Sequence, residues 1–146
     1  MEDSSPSDPR LADIAARLAG SPFHRWAGIE LVRAEPGEVE VAMRVEQHHL
    51  NLLGTAHGGM VAALADTAMG LAVRTLAEPG TVHVTAQLNV HYLAPGRRGR
   101  VSAVGRLVAG GDVRYAEADV FAPRGRLLAR ASATFVAAGR GRLGAS

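Results

Sequence analysis

The sequence contains neither cysteine nor lysine, and all 16 of its basic residues are arginine. Without cysteine there are no disulfides, no thiolate nucleophiles and no cysteine-ligated metals. Arginine suits bidentate contacts with phosphate, although an all-arginine set is more often a sign of GC-rich codon usage. The formal net charge is only +2, so the charge balance does not point to nucleic acid as a partner.

The first ten residues, MEDSSPSDPR, are acidic and hold no apolar run, so we expect no secretory signal in them. The longest apolar stretch is interrupted by Asp66 and Arg74, so we expect a core helix there rather than a membrane span. At 146 residues, 47% hydrophobic and 21% charged, the chain suits one globular domain with a substantial core. We expect a cytoplasmic protein with no membrane or nucleic-acid partner.

Hydrophobic periodicity predicts an α+β domain over residues 9–138, between a disordered arm (1–8) and a flexible tail (139–146). The predicted elements are short helices at 9–18 and 22–26, strands at 29–34 and 38–45, a long helix at 57–77, and strands at 82–93, 101–108, 113–121 and 127–136. This order predicts a curved antiparallel sheet packed against the long helix. Because exposed edge strands usually need cover, we expect a homodimer or a larger symmetric oligomer.

The long helix, His57 to Ala77, is apolar on nearly every side, which is typical of a buried helix. A single carboxylate, Asp66, interrupts it, and an unpaired carboxylate in apolar surroundings is strongly disfavoured. Neighbours at helical spacing, including Ala63 and Gly70, offer it no partner. An arginine elsewhere in the fold could pair with Asp66; otherwise this carboxylate is a candidate for catalysis.

The start of the same helix carries Gly58 and Gly59, where free backbone N–H groups bear partial positive charge. They could polarise a carbonyl or hold an oxyanion, or they could simply permit close packing. His57 directly precedes the two glycines, and we call this N-terminal end of the helix, residues 57–59, the helix mouth. Asn51 in the preceding loop could serve a turn or position a water. The remaining histidines are interpreted as surface or packing residues, and because no metal-ligand spacing occurs we expect no metal; they are His24, His48, His49, His83 and His91.

No Walker or dinucleotide-binding glycine motif is present. Arg97 and Arg98 lie in a Gly-containing turn, and Arg114 follows a second turn at Gly110–Gly111. A solvated basic turn is the usual explanation, and anchoring the phosphates of a nucleotide tail is the alternative.

The segment Asn51–Gly59 (NLLGTAHGG), followed by Asp66, resembles the N-x-x-G-x-x-H-G-G…D signature of hot-dog-fold acyl-CoA thioesterases of the phenylacetyl-CoA (PaaI-like) family. Asn89–Pro95 (NVHYLAP) is similar to that family's N-x-x-Y/F-x-x-P segment, and the likeness covers roughly residues 34–137. It implies a sheet wrapped around one central helix, with chains paired as a dimer or assembled as a homotetramer, and hydrolysis of an acyl- or aryl-CoA thioester.

The resemblance also implies roles for single residues. Asp66 would be the general base or nucleophile, and the Gly58 N–H would polarise the thioester carbonyl. Asn51 would help to place the attacking water, His57 would support the thioester end of the site, and Thr85 would contact the water. The site would form across the dimer interface, with the acid from one subunit and the helix mouth from the other.

The substrate side of the site is predicted at Gly59, Gly70, Arg97, Arg98 and Arg114. Coenzyme A would be part of the substrate, so no separate cofactor is expected, and the acyl group stays open. Two alternatives remain at this point. One is a non-catalytic acyl-CoA-binding protein of the same fold; the other is an enoyl-thioester hydratase or dehydratase, which the absence of Glu from the long helix disfavours.

Overall fold

The computed structural model describes residues 9–140. The predicted arm (1–8) and residues 141–146 of the predicted tail lie outside the described residues. The elements are α1 (Pro9–Gly20), α2 (Pro22–Ala27), β1 (Glu30–Glu35), β2 (Glu38–Val45), α3 (Gly58–Thr75), β3 (Thr81–Tyr92), β4 (Gly99–Ala109), β5 (Val113–Phe121) and β6 (Leu127–Arg140), with short 3-10 turns at Gln47–His49 and Pro123–Gly125. Thus β6 continues to Arg140, two residues into the segment predicted as tail.

The six strands form one antiparallel sheet in the order β1-β2-β4-β5-β6-β3. The long helix α3 packs across the sheet, so the predicted α+β hot-dog architecture is confirmed. Its core residues are fully buried, among them Leu64, Met69 and Val73. Each such side chain contributes about 1.5–3 kcal/mol relative to leaving it exposed, which explains why an almost uniformly apolar helix lies at the centre of the fold.

The backbone of α3 lies very close to the sheet at Gly105 of β4. A Cβ at this position would lie 2.4 Å from the backbone carbonyl of Ala68 and 2.6 Å from the amide nitrogen of Met69. No side chain fits in that space, so glycine here permits contact between two backbones. This contact sets the depth at which α3 lies on the sheet.

The two edges of the sheet differ in character. On β1, Arg33 pairs with Glu35 at 2.6 Å and with Glu38 at 2.9 Å, and such charges discourage further strand pairing. The other edge is β3, which pairs with β6 and with no other strand among residues 9–140. Its residues 84–89 are exposed, and they include the apolar Val84 and Leu88.

Helices α1 and α2 form a hairpin that lies beside α3. Ile14 is fully buried and Leu18 nearly so. The carboxylate of Asp13 reaches across to Arg74 of α3, with an Oδ2–Nη2 distance of 3.0 Å. Gly28 ends α2 in the left-handed region at φ 77°, where glycine is favoured. The hairpin therefore forms a wall next to the middle of α3, where Asp66 is located.

Candidate active site

Asp66 projects from the middle of α3 into a cleft between the helical hairpin, α3 and β3. The cleft has a volume of about 390 Å³, within the usual range for small-molecule sites. The Asp66 carboxylate is half-buried, and the hydroxyl of Thr85 on β3 donates to its Oδ1 at 2.8 Å. Oδ2 accepts no hydrogen bond from the described residues, so one carboxylate oxygen is held while the other can accept a proton.

Thr85 reaches Asp66 because of an irregularity in β3. The pairing register with β6 shifts between Thr85 and Gln87, so that Thr85 lies opposite Phe135 and Leu88 lies opposite Ala133. One extra residue in a strand resets the alternation of its side chains between the two faces. Thr85 and Leu88 therefore share the helix-facing side, although they are three residues apart.

The wall of the cleft opposite β3 carries His24 from α2. Its Nε2 lies 3.0 Å from the Thr67 hydroxyl, and Thr67 in turn donates to the Ala63 carbonyl at 2.7 Å. Nε2 must therefore carry the hydrogen, and Nδ1 accepts from the Ser21 hydroxyl at 2.7 Å. Burial lowers the pKa of His24, against a smaller opposing effect from the charge of Asp66. The ring is accordingly neutral near pH 7.

The floor of the cleft is open because Gly70 has no side chain. A Cβ at Gly70 would meet the Phe135 ring at 3.5 Å, so the aromatic ring lies directly beneath. The other residues that line the cleft come from all three walls: Arg17, Leu18, Ser21, His24, Thr67, Leu71, Arg74, His83, Val84 and Thr85. An apolar floor next to a carboxylate suits an acyl group whose carbonyl lies near Asp66.

The N-terminus of α3 forms a second cluster. His57 is the N-cap, and its Nδ1 accepts from the Gly59 N–H at 2.8 Å. A neutral His57 therefore carries its hydrogen on Nε2, on an exposed ring. The N–H of Gly58 has no acceptor among the described residues. The Gly58 carbonyl accepts from the Tyr92 hydroxyl at 2.6 Å, and burial raises the pKa of Tyr92, which keeps this donor protonated.

Asn51 shapes the loop that leads to this helix mouth. Its Oδ1 accepts from the N–H groups of Leu53 at 2.9 Å and Thr55 at 3.1 Å, and its Nδ2 donates to the Thr55 hydroxyl at 2.9 Å. The amide therefore serves a turn in the single chain. Its predicted role in placing a water is not tested by this geometry and stays a prediction.

The two clusters do not meet within one chain. Gly58 and Asp66 are eight residues apart on α3, which corresponds to about 12 Å along the helix axis. Thr85 belongs to the Asp66 cluster, whereas Tyr92, near the other end of β3, contacts Gly58. Each chain thus carries two separate parts of the candidate site. The part with Asp66 contacts β3 at Thr85, and the part with Gly58 contacts β3 at Tyr92.

The predicted phosphate-binding arginines fall at opposite ends of α3. The Ala56 N–H donates to the Gly96 carbonyl at 2.8 Å, which holds the turn containing Arg97 and Arg98 beside the helix mouth. Arg97 is exposed, and Arg98 donates to the Gln47 side chain.

Arg114, by contrast, lies at the C-terminal end of α3. It donates to the carbonyls of Val73 at 3.4 Å and Leu76 at 3.1 Å. A cation here stabilises the negative end of the helix dipole. This geometry gives Arg114 a capping role, and its predicted contact with substrate stays a prediction.

Sequence reasoning placed His24 and His83 among surface or packing residues, and both line the Asp66 cleft. Burial, and then the charge of Arg114, lower the pKa of His83. Phe135 was not singled out either. No local motif marks these residues, because they come from three elements far apart in the chain. The sequence had indicated Asp66, Gly70 and Thr85 among the residues that line the cleft, and their surroundings could be known only from the packing.

A larger hollow of about 500 Å³ lies on the outer face of the sheet, around Asp119. Arg130 and Arg106 donate to this carboxylate at 2.7 Å and 3.3 Å. Burial alone would raise the pKa of Asp119, but the hydrogen bonds and charges of the two arginines lower it. The charges are thus satisfied internally, which is typical of a structural ion-pair network rather than of a reactive group.

Among residues 9–140, no three histidine or acidic side chains are grouped as a metal site would require. Within the same residues, no helix combines the length and apolarity needed to cross a bilayer.

Comparison with known proteins places this geometry in a family. The family model described as "Thioesterase superfamily" matches residues 53–129, which is more than half of the chain. The human protein named acyl-coenzyme A thioesterase 13 is 38% identical over 87 residues, 59% of this chain. The match spans 61% of that relative's length.

Solved structures support the same conclusion for the fold. A thioesterase family protein from Silicibacter pomeroyi superposes with a TM-score of 0.84 at 26% identity, covering 88% of this chain and 97% of that one. The PaaI protein from the phenylacetic acid degradation operon of E. coli gives a TM-score of 0.82 at 21% identity, covering 90% and 94%; at this identity the likeness concerns the fold alone. With more than half of its length matched by the family model, the chain belongs to the thioesterase superfamily.

Proposed function

We propose that this protein is an acyl-CoA thioesterase that hydrolyses an acyl- or aryl-CoA thioester to the free acid and coenzyme A. The observation that carries the proposal is a half-buried carboxylate, Asp66, in a largely apolar cleft. One of its oxygens accepts from Thr85, and the other has no donor within the part of the chain that the structure describes. Family membership and the relative named acyl-coenzyme A thioesterase 13 support the same reaction.

In the proposed reaction, Asp66 acts as general base. Its free oxygen takes a proton from water while the water oxygen bonds to the thioester carbonyl carbon. Thr85 keeps the carboxylate oriented, and the Gly58 N–H stabilises the oxyanion that develops on the carbonyl oxygen. The carbonyl then re-forms as the carbon–sulfur bond breaks, and coenzyme A leaves as a thiolate that takes up the proton held by Asp66. His57 and Asn51 would position the thioester and the water. Direct attack by Asp66 as nucleophile is the variant that the same geometry permits.

The two halves of the site would come from two chains. If two β3 strands pair antiparallel about an axis near Leu88 and Asn89, Thr85 of one chain lies opposite Tyr92 of the other. Because Thr85 contacts Asp66 and Tyr92 contacts Gly58, this pairing brings the acid of one chain to the helix mouth of the next. A homodimer would thus be the smallest active unit. The homotetramer and the cytoplasmic location stay predictions.

The coenzyme A tail would extend past the helix mouth. The turn with Arg97 and Arg98 lies there, and guanidinium groups suit phosphate. A place in the PaaI-like branch, with an aryl acyl group, is part of the proposal, supported by the motif from Asn51 to Gly59 and by the fold.

The direct test is Asp66→Asn, assayed by release of free thiol from a panel of acyl-CoA thioesters. Asparagine can still accept the hydrogen bond from Thr85 but cannot take a proton. We expect kcat to fall by roughly 10²–10⁴-fold, the usual contribution of a general base, with the melting temperature unchanged. A variant that hydrolyses its best substrate at nearly the wild-type rate would overturn the role of Asp66. Hydration of an enoyl-CoA without thiol release would instead favour the hydratase alternative.

Mixing two inactive variants tests the shared site. Asp66→Asn removes the acid half, and His57→Ser removes the imidazole while keeping an N-cap side chain. After co-refolding in equal amounts, mixed dimers hold one doubly damaged site and one intact site. Random two-fold pairing would then restore about a quarter of wild-type activity. No recovery, in a mixture shown to contain mixed dimers, would place both halves in one chain.

A further inference from the structure

The Asp66 cleft continues along α3 toward a pair of arginines. Asp66, Gly70 and Arg74 are spaced four residues apart and so lie in one row on the helix surface. Gly70 leaves the middle of this row open above the Phe135 ring. Arg74 therefore lies about 12 Å from Asp66 along the helix axis, with an apolar channel between them.

The arginine end of the cleft has unused donor groups. Arg17 of α1 also lines the cleft, and its Nε donates to Asp13 at 2.9 and 3.1 Å. Arg74 donates to the same carboxylate through Nε and Nη2, at 3.1 and 3.0 Å. One carboxylate thus serves two guanidinium groups. Both terminal nitrogens of Arg17, and Nη1 of Arg74, have no acceptor among the described residues.

The acids near this pair do not face the cleft. Asp13 and Glu78 line a small hollow of about 70 Å³ on the other side of Arg74, and neither is among the residues that line the Asp66 cleft. The histidines of the cleft, His24 and His83, are neutral near pH 7 because burial lowers the pKa of each. The charge that faces the cleft at this end is therefore positive.

We propose that the cleft selects acyl groups with a terminal carboxylate, so that the preferred substrates are coenzyme A thioesters of medium-length α,ω-diacids. The thioester carbonyl lies at Asp66, the methylene chain passes over Gly70 and Phe135, and the distal carboxylate accepts hydrogen bonds from Arg17 and Arg74. This inference rests on the proposed thioesterase function. It adds the substrate class and assigns the N-terminal helical hairpin a part in specificity.

The test compares suberoyl-CoA with octanoyl-CoA, and adipoyl-CoA with hexanoyl-CoA, by thiol release. Each pair has the same chain length and differs at the far end. We expect a higher kcat/KM for the diacid, mainly through a lower KM, by about fivefold, the size typical of a charge pair at a partly exposed site. Equal values, or a preference for the monoacid in both pairs, would overturn the inference.

Two arginine variants and a control complete the experiment. Arg17→Gln keeps the ion pair between Arg74 and Asp13, and Arg74→Gln removes that contact. We expect Arg17→Gln to lower the ratio of kcat/KM for suberoyl-CoA to kcat/KM for octanoyl-CoA. Arg25→Gln removes the same charge from α2 at a position outside this cleft, and the preference should persist.

The remaining outcomes are also informative. A preference that survives both Arg17→Gln and Arg74→Gln would overturn the inference, and Arg17→Gln alone decides the matter if Arg74→Gln does not fold. Hydrolysis of both members of a pair without discrimination would leave the proposed function intact. Release of thiol from no thioester at all would instead reject the proposed function.

Discussion

At the scale of single residues, the site depends on which hydrogen-bonding groups are already occupied. The Gly59 N–H donates to His57, whereas the neighbouring Gly58 N–H has no acceptor among residues 9–140. Of the two glycines predicted at the helix mouth, Gly58 is thus the one that can donate to a substrate in this geometry. The motif indicated both glycines, but only the position of the His57 ring could distinguish them.

His24 leads to a prediction about pH. Its pKa is lowered in the folded protein from the ordinary value of 6.5, first because of burial. Below pH 6.5 the unfolded chain therefore binds more protons than the folded chain, and stability falls as the pH decreases. We expect the free energy of unfolding to be lower at pH 5 than at pH 7, and His24→Gln to reduce this difference.

Urea denaturation of the wild type and of His24→Gln at both pH values measures the effect. His49 and His83 also have pKa values lowered by burial, so part of the pH dependence should remain in the variant. The lowered pKa values of Asp13 and Asp119 affect stability only below about pH 3.9, outside this window. An identical pH dependence in wild type and variant would contradict the assignment.

At the scale of elements, the apolar runs and the turns between them predicted every α-helix and every strand of the sheet. The ends shifted by a few residues: the predicted helix 57–77 begins at Gly58 and ends at Thr75. The bulges in β3 could not be predicted, because its side chains are exposed on both faces and so lack alternation. The contact between Thr85 and Asp66 depends on one of those bulges, so this contact could be identified only from the structure.

The crossing of α3 over β4 gives a prediction about stability. A methyl group at Gly105 would lie 2.4 Å from the Ala68 backbone, and neither backbone can move without shifting the helix. We expect Gly105→Ala to lower the free energy of unfolding by 1–3 kcal/mol or more, as overpacking does. The melting temperature should fall by about 2–4 °C for each kcal/mol.

Gly110→Ala is the matched control for this substitution. Gly110 lies just beyond the same strand, and a Cβ there would meet no atom within 4 Å. Calorimetry should show little change for this variant. Equal melting temperatures for the Gly105 and Gly110 variants would contradict the packing argument.

At the scale of the whole molecule, one edge of the sheet is charged and the other is open. The sequence indicated an oligomer through the need to cover edge strands, but it could not show which edge was left. In the single chain the exposed edge is β3. Because the Asp66 cluster and the Gly58 cluster both contact this strand, we propose that β3 pairs with its copy in a second chain. The proposed acyl specificity could not be predicted from the sequence, because it depends on side chains from both the α1–α2 hairpin and α3.

Leu88 tests the proposed pairing. It is 37% exposed on the helix-facing side of β3, near the proposed two-fold axis. In Leu88→Arg, the two introduced like charges would lie close together near that axis and repel. We expect sedimentation analysis to show a shift toward the monomer, with loss of thiol-releasing activity at the same protein concentrations.

Val108→Arg on β4 is the control, since Val108 is 55% exposed and lies away from the β3 edge. Its assembly and activity should match the wild type. A fully active Leu88→Arg monomer would reject the shared site.

The free edge of β3 also constrains how this protein can diverge. Under the proposed pairing, a residue near the axis lies beside its own copy, so every substitution there enters both sides of the contact at once. A second change cannot compensate on the opposite chain alone, because one gene encodes both. The axis therefore accepts only residues that fit against themselves. The cleft walls carry no such restriction, so substrate preference can change there while the pairing of chains stays the same.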